Sequence, residues 1–277
     1  MMAVAVLIAI LGLFPGQASV QDDETSVEVS LRGGAVWAFS WGTASARNSF
    51  TGFERGGAVD LRDDLGLLHG APLADLALLV QFEHRHRVAL HALFGEVSAR
   101  TVLERTFEYN DNVFEQGEHA QSRLEIDCRD LEYAYRFATG PRWTLWAGAG
   151  GRWAHVNVGI RSSSLDPDGS MEATTAVYPT LNAGLAASGD PSWSLGLEVR
   201  GSPAALPVLP SDASRGRFVE VRATLGWNLT DFVRLEAGGT LLWMWHRWTG
   251  REPDRHFAVN EVDLRLAGPF AGLNISF

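Results

Sequence analysis

The sequence contains no lysine: all 23 of its basic side chains are arginine. A coding bias accounts for this, although arginine is also the cation better suited to tight ion pairs. There is a single cysteine, Cys128, so no internal disulfide can form, and one thiol is tolerated in reducing and oxidising surroundings alike. Positive charge is scarce as well. A formal net charge of -10 and a pI near 5.3 exclude a nucleic-acid partner, which needs a concentrated basic surface. Long apolar runs are also missing, and no stretch approaches the roughly 18 residues that a transmembrane helix requires.

What the chain does have is a rhythm of two. Of its 277 residues 46% are hydrophobic and 29 are glycine, with a mean hydropathy of -0.03. By composition this fits one large β domain or two soluble ones. The segment Ala271-Gly-Leu273-Asn-Ile275-Ser-Phe277 alternates apolar and small or polar residues and ends on an aromatic, and about nine earlier segments repeat the pattern. Successive strand side chains point to opposite faces, so strands with lipid on one side and a polar lumen on the other must alternate in this way. The expectation is an all-β, antiparallel up-and-down transmembrane barrel.

Residues Ala3 to Phe14 form a short apolar run followed by Pro15-Gly16-Gln17-Ala18, which reads as a signal peptide over residues 1–18, cleaved after Ala18. Its amino-terminal Met1-Met2 carries no Lys or Arg, leaving the positive charge to the α-amino group. Residues 19–277 are then expected to make one barrel domain. Its first strand starts at Val27 and runs to Trp41. Short turns are predicted at 84–87, 139–142, 188–191 and 228–231. They alternate with longer connections near 42–71, 108–121, 164–170, 204–216 and 250–256. Bacterial barrels keep short turns in the periplasm and long loops outside, so the count closes at ten strands, with eight or twelve as alternatives.

Aromatic positions suit two girdles. Trp143, Trp193 and Trp227 lie beside proposed periplasmic turns, whereas Trp37, Trp41, Trp243, Trp245 and Trp248 lie at the opposite strand ends. The polar faces are assigned to the lumen: Arg123, Glu125, Asp127, Asp130, Glu132 and Arg136 from one strand, and Glu198 with Arg200 from another. Glu220, Arg222, Arg234, Glu236, Glu261, Asp263 and Arg265 come from the last three. Ten strands leave a narrow interior, so these charges must pair or hold water. That predicts an occluded lumen, with a narrow solute channel as the alternative. The pattern slips near Cys128-Arg129-Asp130, which suggests a bulge with Cys128 at the lipid face. In the connection from Gly42 to Ala71, Leu61, Leu65, Leu67 and Leu68 are expected to fold back over the barrel mouth.

The export segment, the Gly-Gly first strand with aromatic ends, the element DLRDDLGL at 60–67 and GPFAGLNISF at 268–277 together resemble the small bacterial outer-membrane β-barrel proteins of the broad OmpA/OmpW-like group. That resemblance covers residues 19–277 and implies a bacterial outer-membrane location, with lipid as the surrounding partner. Leu273, Ile275 and Phe277 also resemble the signal read by the barrel assembly machinery. The group includes anchors, adhesins and narrow channels, so a loop-bound extracellular ligand is open. No enzyme is expected. Outer-membrane phospholipase and deacylase families place His and Ser two apart on one strand, a spacing no histidine here has. Omptin-like proteases need an Asp pair and a His-Asp pair. Asp63-Asp64 and His256 near Asp254 supply those residue types without the surrounding motifs. Asp166-Pro-Asp168-Gly169 reads as a turn rather than a calcium loop. The histidines lack metal-ligand spacing, and no cofactor is expected.

Overall fold

The computed structural model describes residues 27–50, 53–55, 57–67, 70–110, 112–162, 170–190, 192–206, 213–250 and 257–277. The predicted export segment, Leu68, the predicted turn at Asp166–Gly169, Asp254 and His256 lie outside them. Along the chain run β1 (Val27–Phe50), β2 (Phe53–Arg55), β3 (Ala58–Asp60), β4 (Ala71–Phe82), β5 (His86–Val102), β6 (Phe107–Tyr109) and β7 (Asn112–Phe114). There follow β8 (His119–Gly140), β9 (Trp143–Ser162), β10 (Ser170–Asp190), β11 (Trp193–Ser202), β12 (Ala213–Asn228), β13 (Val233–Gly250) and β14 (Phe257–Ser276). Ten of these, β1, β4, β5 and β8 to β14, form an antiparallel ring. Each pairs with the next, and β14 closes onto β1 from Ser30↔Ser276 to Ser49↔Phe257. Closure leaves the ring without a free edge.

Connections at one end are short: Glu83–Arg85, Pro141-Arg142, residues 191–192 and Leu229–Phe232. Both Val29 and Phe277 lie at this end, bonded to each other through their backbones. The first turn sits one residue earlier than the predicted 84–87. Glu83 and His84 both take positive φ, 53° and 52°, and Arg85 N–H closes the turn on the Phe82 carbonyl, so His86 already pairs with Tyr135. The opposite end carries the long connections. There β1 continues well past Trp41, with β2 and β3 replacing β4 as its partners beyond Ala38.

On the lower wall, toward the short turns, the outward register is apolar. Strand β8 turns Leu131, Tyr133, Tyr135 and Phe137 outward, β12 turns Val219, Leu225 and Trp227, and β13 turns Leu235 and Leu241. From Val233 to Leu241 on β13 eight rises of about 3.3 Å give about 26 Å of strand, or about 20 Å of height at a barrel tilt of about 40°, the greater part of an apolar band of about 25 Å. Above that band the two faces exchange character. The same outward register of β8 now presents Arg129, Asp127, Glu125 and Arg123, while Cys128, Ile126 and Leu124 point inward and are fully buried. No bulge interrupts Cys128-Arg129-Asp130; the pairing with β9 is continuous there, and the shift in register lies at Arg136/Ala138. What reads in sequence as a slip of phase is a change of solvent along an unbroken strand.

The upper barrel is therefore filled like a soluble protein. Val36, Val97, Val156, Val158, Ile160, Tyr178, Phe218, Leu242, Met244, Leu264 and Leu266 form its core. The connection after β3 completes it from above, with Leu61, Leu65 and Leu67 fully buried. Asp60 shapes this lid by accepting the Arg62 and Asp63 N–H groups at 2.8 Å. Two bonds dock it on β1: Leu61 N–H to the Gly42 carbonyl at 2.9 Å, and Ser40 Oγ to the Leu67 carbonyl at 2.7 Å. Gly42 has φ +133°, and a Cβ there would meet the Asp263 carbonyl oxygen at 1.9 Å, so no larger residue fits the dock. The hairpin β6–β7 adds Phe107 stacked on Phe114 with ring centroids 5.2 Å apart.

Arg105 clamps the lid through Asp64, donating from Nε at 2.7 Å and Nη2 at 2.5 Å. Burial alone would push the Asp64 carboxyl up, but the Arg105 hydrogen bonds, with one from the Asp60 backbone, hold it below the usual carboxylate range. A carboxyl depressed in the folded state stabilises fully above its unfolded pKa and loses that contribution as pH falls through its folded value. The expected outcome is that hydrogen-exchange protection of residues 60–67 is high at neutral pH and falls once Asp64 protonates. Arg105→Gln should remove it at neutral pH, charged hydrogen bonds of this kind being worth about 1.5–3 kcal/mol. Unchanged protection in the variant would mean that the leucines alone hold the lid.

Candidate functional site

The inward register of the lower barrel gathers charge from seven strands. Arg152 on β9 reaches Asp130 on β8 with Nε at 2.5 Å and Nη2 at 2.8 Å, bonds Glu220 on β12 with the same Nη2, and lies 4.3 Å from the Phe218 ring centroid. His91 on β5 stands between two carboxylates, Nε2 2.6 Å from Asp75 and Nδ1 3.0 Å from Asp130. Arg222 on β12 bonds Asp75 and covers the Phe270 ring at 3.9 Å, and Arg32 on β1 approaches Asp75 at 3.7 Å. Arg200 on β11 is the hub of the remainder, within 3.2 Å of Glu198, 3.3 Å of Glu132 and 3.5 Å of Glu220. Glu198 in turn meets Arg87 at 3.6 Å.

Five arginines (32, 87, 152, 200, 222) thus face five carboxylates (75, 130, 132, 198, 220), with His91 bridging two of them. The inner members are sealed from water: Arg152 is 1% exposed and Asp130 is 0% exposed at its side chain. In so dry a place an isolated charge costs several kcal/mol, so the balance of signs is a condition of folding. Immediately above lies the apolar core, and Phe218 and Phe270 form the seam between them, their rings covering Arg152 and Arg222. Each carboxylate here has a cationic partner. The pairs cross the lumen, from β12 to β4 through Arg222 and Asp75 and from β9 to β12 through Arg152 and Glu220.

Of the residues assigned to the lumen from sequence, Glu132, Arg136, Glu198, Arg200, Glu220, Arg222, Arg234 and Glu236 do lie on the inward register, as does Asp130. Six do not. Arg123, Glu125 and Asp127 on β8 and Glu261, Asp263 and Arg265 on β14 face outward above the apolar band. There Arg123 pairs with Glu96 at 2.9 Å and Arg129 with Asp127 at 2.8 Å. Trp245 Nε1 donates to Glu261 at 2.8 Å and Trp243 Nε1 to Asp263 at 3.0 Å, while Arg265 approaches Asp263 at 3.6 Å. Assigning every polar face to the lumen fails because the strands outrun the band, and beyond it the wet side is the outside. For the same reason Cys128 belongs to the core rather than to the lipid face.

Trp37, Trp143, Trp193 and Trp227 are exposed on the outer wall at the two edges of the band. Trp41, Trp243 and Trp245 face outward a step higher, Trp41 and Trp243 both opposite Arg265, and Arg217 lies 4.9 Å from the Trp243 ring. Trp248 falls on the inward register of β13, the same face as His246, and does not belong to the outer wall. Sequence reading missed Arg32, Asp75, Arg87, His91 and Arg152 as network members. Arg152 shares the parity of inward Trp146 and Gly148, a signal that could have found it. Nothing local marks His91, whose partners lie on β4 and β8.

The protease residue types do not converge. Asp64 is buried under Arg105 whereas Asp63, 79% exposed, pairs with Arg62, so the two carboxylates share no water. Asp254 and His256 lie outside the described residues.

No protein-family model matches this chain, and no curated protein matches it. Among solved structures it is similar to the outer membrane protease OmpT from Escherichia coli. The TM-score is 0.55 at 11% identity, covering 94% of this chain and 99% of that one. It also aligns with the transport unit of the autotransporter AIDA-I from Escherichia coli (TM-score 0.37, 8% identity, 99% and 97% covered). A third is Ail, the attachment invasion locus protein of Yersinia pestis (0.33, 10%, 91% and 99%). At such identities the likeness is one of fold, and the fold is that of the bacterial outer-membrane β-barrel proteins.

Proposed function

We propose that this chain is an exported, integral protein of the bacterial outer membrane whose barrel is a closed pedestal. Its role is structural, or one of interaction through the surface it raises above the lipid, and it has no catalytic activity. The observation that carries this reading is the filled interior, a charge-balanced plug in the lower barrel beneath an apolar core and a leucine lid. Lipid is the solvent of the outer band, with the exposed tryptophans at its edges as interfacial girdles and the short turns in the periplasm. Against a proteolytic role stands the separation of Asp63 from Asp64. Leu273, Ile275 and Phe277, all on the outward register of β14 and its end, supply the assembly signal for the barrel assembly machinery.

Planar-bilayer recording of the refolded protein tests the pedestal directly. The expected result is no steady conductance, and a large steady current would instead establish a channel lined by the inner charges. Stability tests the plug. Arg222→Ala takes from Asp75 its nearest guanidinium, leaving it His91 and the more distant Arg32, and uncovers Phe270, and removal of one partner from a buried pair costs about 3–5 kcal/mol. Urea titration of the refolded barrel should register that loss, while Arg265→Ala on the outer wall should change stability by less than about 1 kcal/mol. Equal effects at the two positions would contradict the assignment of faces. Deleting Phe277 should slow insertion in a reconstituted assembly assay without altering the stability of barrel already folded.

A further inference from the structure

At the short-turn end the lumen opens into a vestibule of about 240 Å³. Its wall carries four arginines, Arg85, Arg87, Arg136 and Arg234, beside Trp146, and Glu28 is the one carboxylate among the lining residues. Arg87 forms the floor, 3.6 Å from Glu198 of the plug and 5.2 Å from the Trp146 ring centroid. The other three bond neutral oxygens. Arg85 donates to the Tyr135 hydroxyl at 3.4 Å, Arg136 to Gln81 Oε1 at 2.6 Å and Arg234 Nε to Asn228 Oδ1 at 2.8 Å. A guanidinium has five N–H donors, so each keeps several for another acceptor.

The contrast with the plug is the informative point. Deeper in the lumen every arginine has a carboxylate within 4 Å, whereas in the vestibule Arg136 and Arg234 bond only neutral side chains. Glu28 stands in the wall, the buried Glu236 lies two residues from Arg234 on the same register, and Arg85 stands at the rim against the outward Tyr135. The three arginines come from different parts of the ring: Arg85 from the β4–β5 turn, Arg136 from β8, and Arg234 from β13 across the mouth. Like charges held together repel one another, and a compact anion with several oxygens relieves Arg136 and Arg234 together. We propose that the vestibule is a binding site for a phosphate monoester, either free in solution or borne as a lipid headgroup. Arginine forks match phosphate oxygens in pairs. The site goes beyond the pedestal reading, and its test is separate from conductance.

The refolded barrel in amine-oxide micelles, which contain no phosphate, is titrated with glycerol 3-phosphate by calorimetry at constant ionic strength. Glycerol and sodium chloride serve as controls. The expected result is saturable one-to-one binding that neither control reproduces. Arg136→Gln with Arg234→Gln should weaken it at least tenfold, equal to about 1.4 kcal/mol, with heat-modifiable gel mobility retained as the check on folding. Glu28→Gln, which removes the opposing charge, should tighten it. Absence of saturable heat, or an affinity indifferent to both variants, would overturn the proposal. Repeating the titration in nanodiscs containing phosphatidic acid identifies the source. Undiminished binding there assigns the site to a soluble ester, and loss by competition assigns it to the lipid.

Discussion

Backbone closure is the constraint on which the rest of this molecule depends. A strand whose outer face is apolar along the length of Leu131 to Phe137 has no water on that side, and its amide groups must be satisfied by neighbours. Pairing of β14 with β1 does this for the whole ring. Once the ring is closed, each strand has an inside and an outside for its full length, and every side chain is committed to one of them by parity alone. Chemistry then follows from which side is wet at each height. In the lower barrel the outer wall is apolar and charge is confined within. In the upper barrel the wall is wet, and the interior becomes the place for Leu, Val and Ile.

Confinement of charge in the lower lumen sets a second condition. The interior is narrow and dry, so signs must balance locally, and arginine meets this demand with flat forks that reach two carboxylates at once, as Arg152 does to Asp130 and Glu220. The absence of lysine from the chain costs this interior nothing. Partners are shared, Asp75 among Arg222, His91 and Arg32 and Arg200 among Glu198, Glu132 and Glu220, so the loss of one pair is felt across the network.

Ring closure, the ten strands and the alternation of short and long connections were legible in the sequence, since each depends on local signals: period two, turn chemistry and terminal aromatics. Placement of individual charges was legible only where the outer wall is apolar. Glu220, Arg222 and Glu236 sit opposite Val219, Val221 and Leu235, and parity assigns them inward. Glu261, Asp263 and Arg265 alternate with Val262 and Leu264 in the same way, yet the faces are exchanged, and no local feature says which solvent bathes which face. Only the height of each residue in the ring resolves this. His91 was invisible for another reason: its two carboxylates come from neighbouring strands and are set by register, which a one-dimensional pattern does not contain.

The two halves are not independent blocks stacked in one tube. At their boundary Arg152 lies under Phe218 and Arg222 under Phe270, so the faces of the lowest core aromatics are filled by the uppermost cations of the plug. A guanidinium is weakly hydrated and flat, and it can end a polar layer against a ring without leaving a void. Core packing from above thereby orients the arginines that neutralise Asp130, Glu220 and Asp75, and those ion pairs in turn fix the floor on which the core rests. The Asp64–Arg105 clamp closes the same column at its top, far from the band. The interior is thus continuous from lid to plug, and Arg136 and Arg234, bonded to Gln81 and Asn228 rather than to carboxylates, stand at the opposite mouth, where solvent or a ligand can reach them.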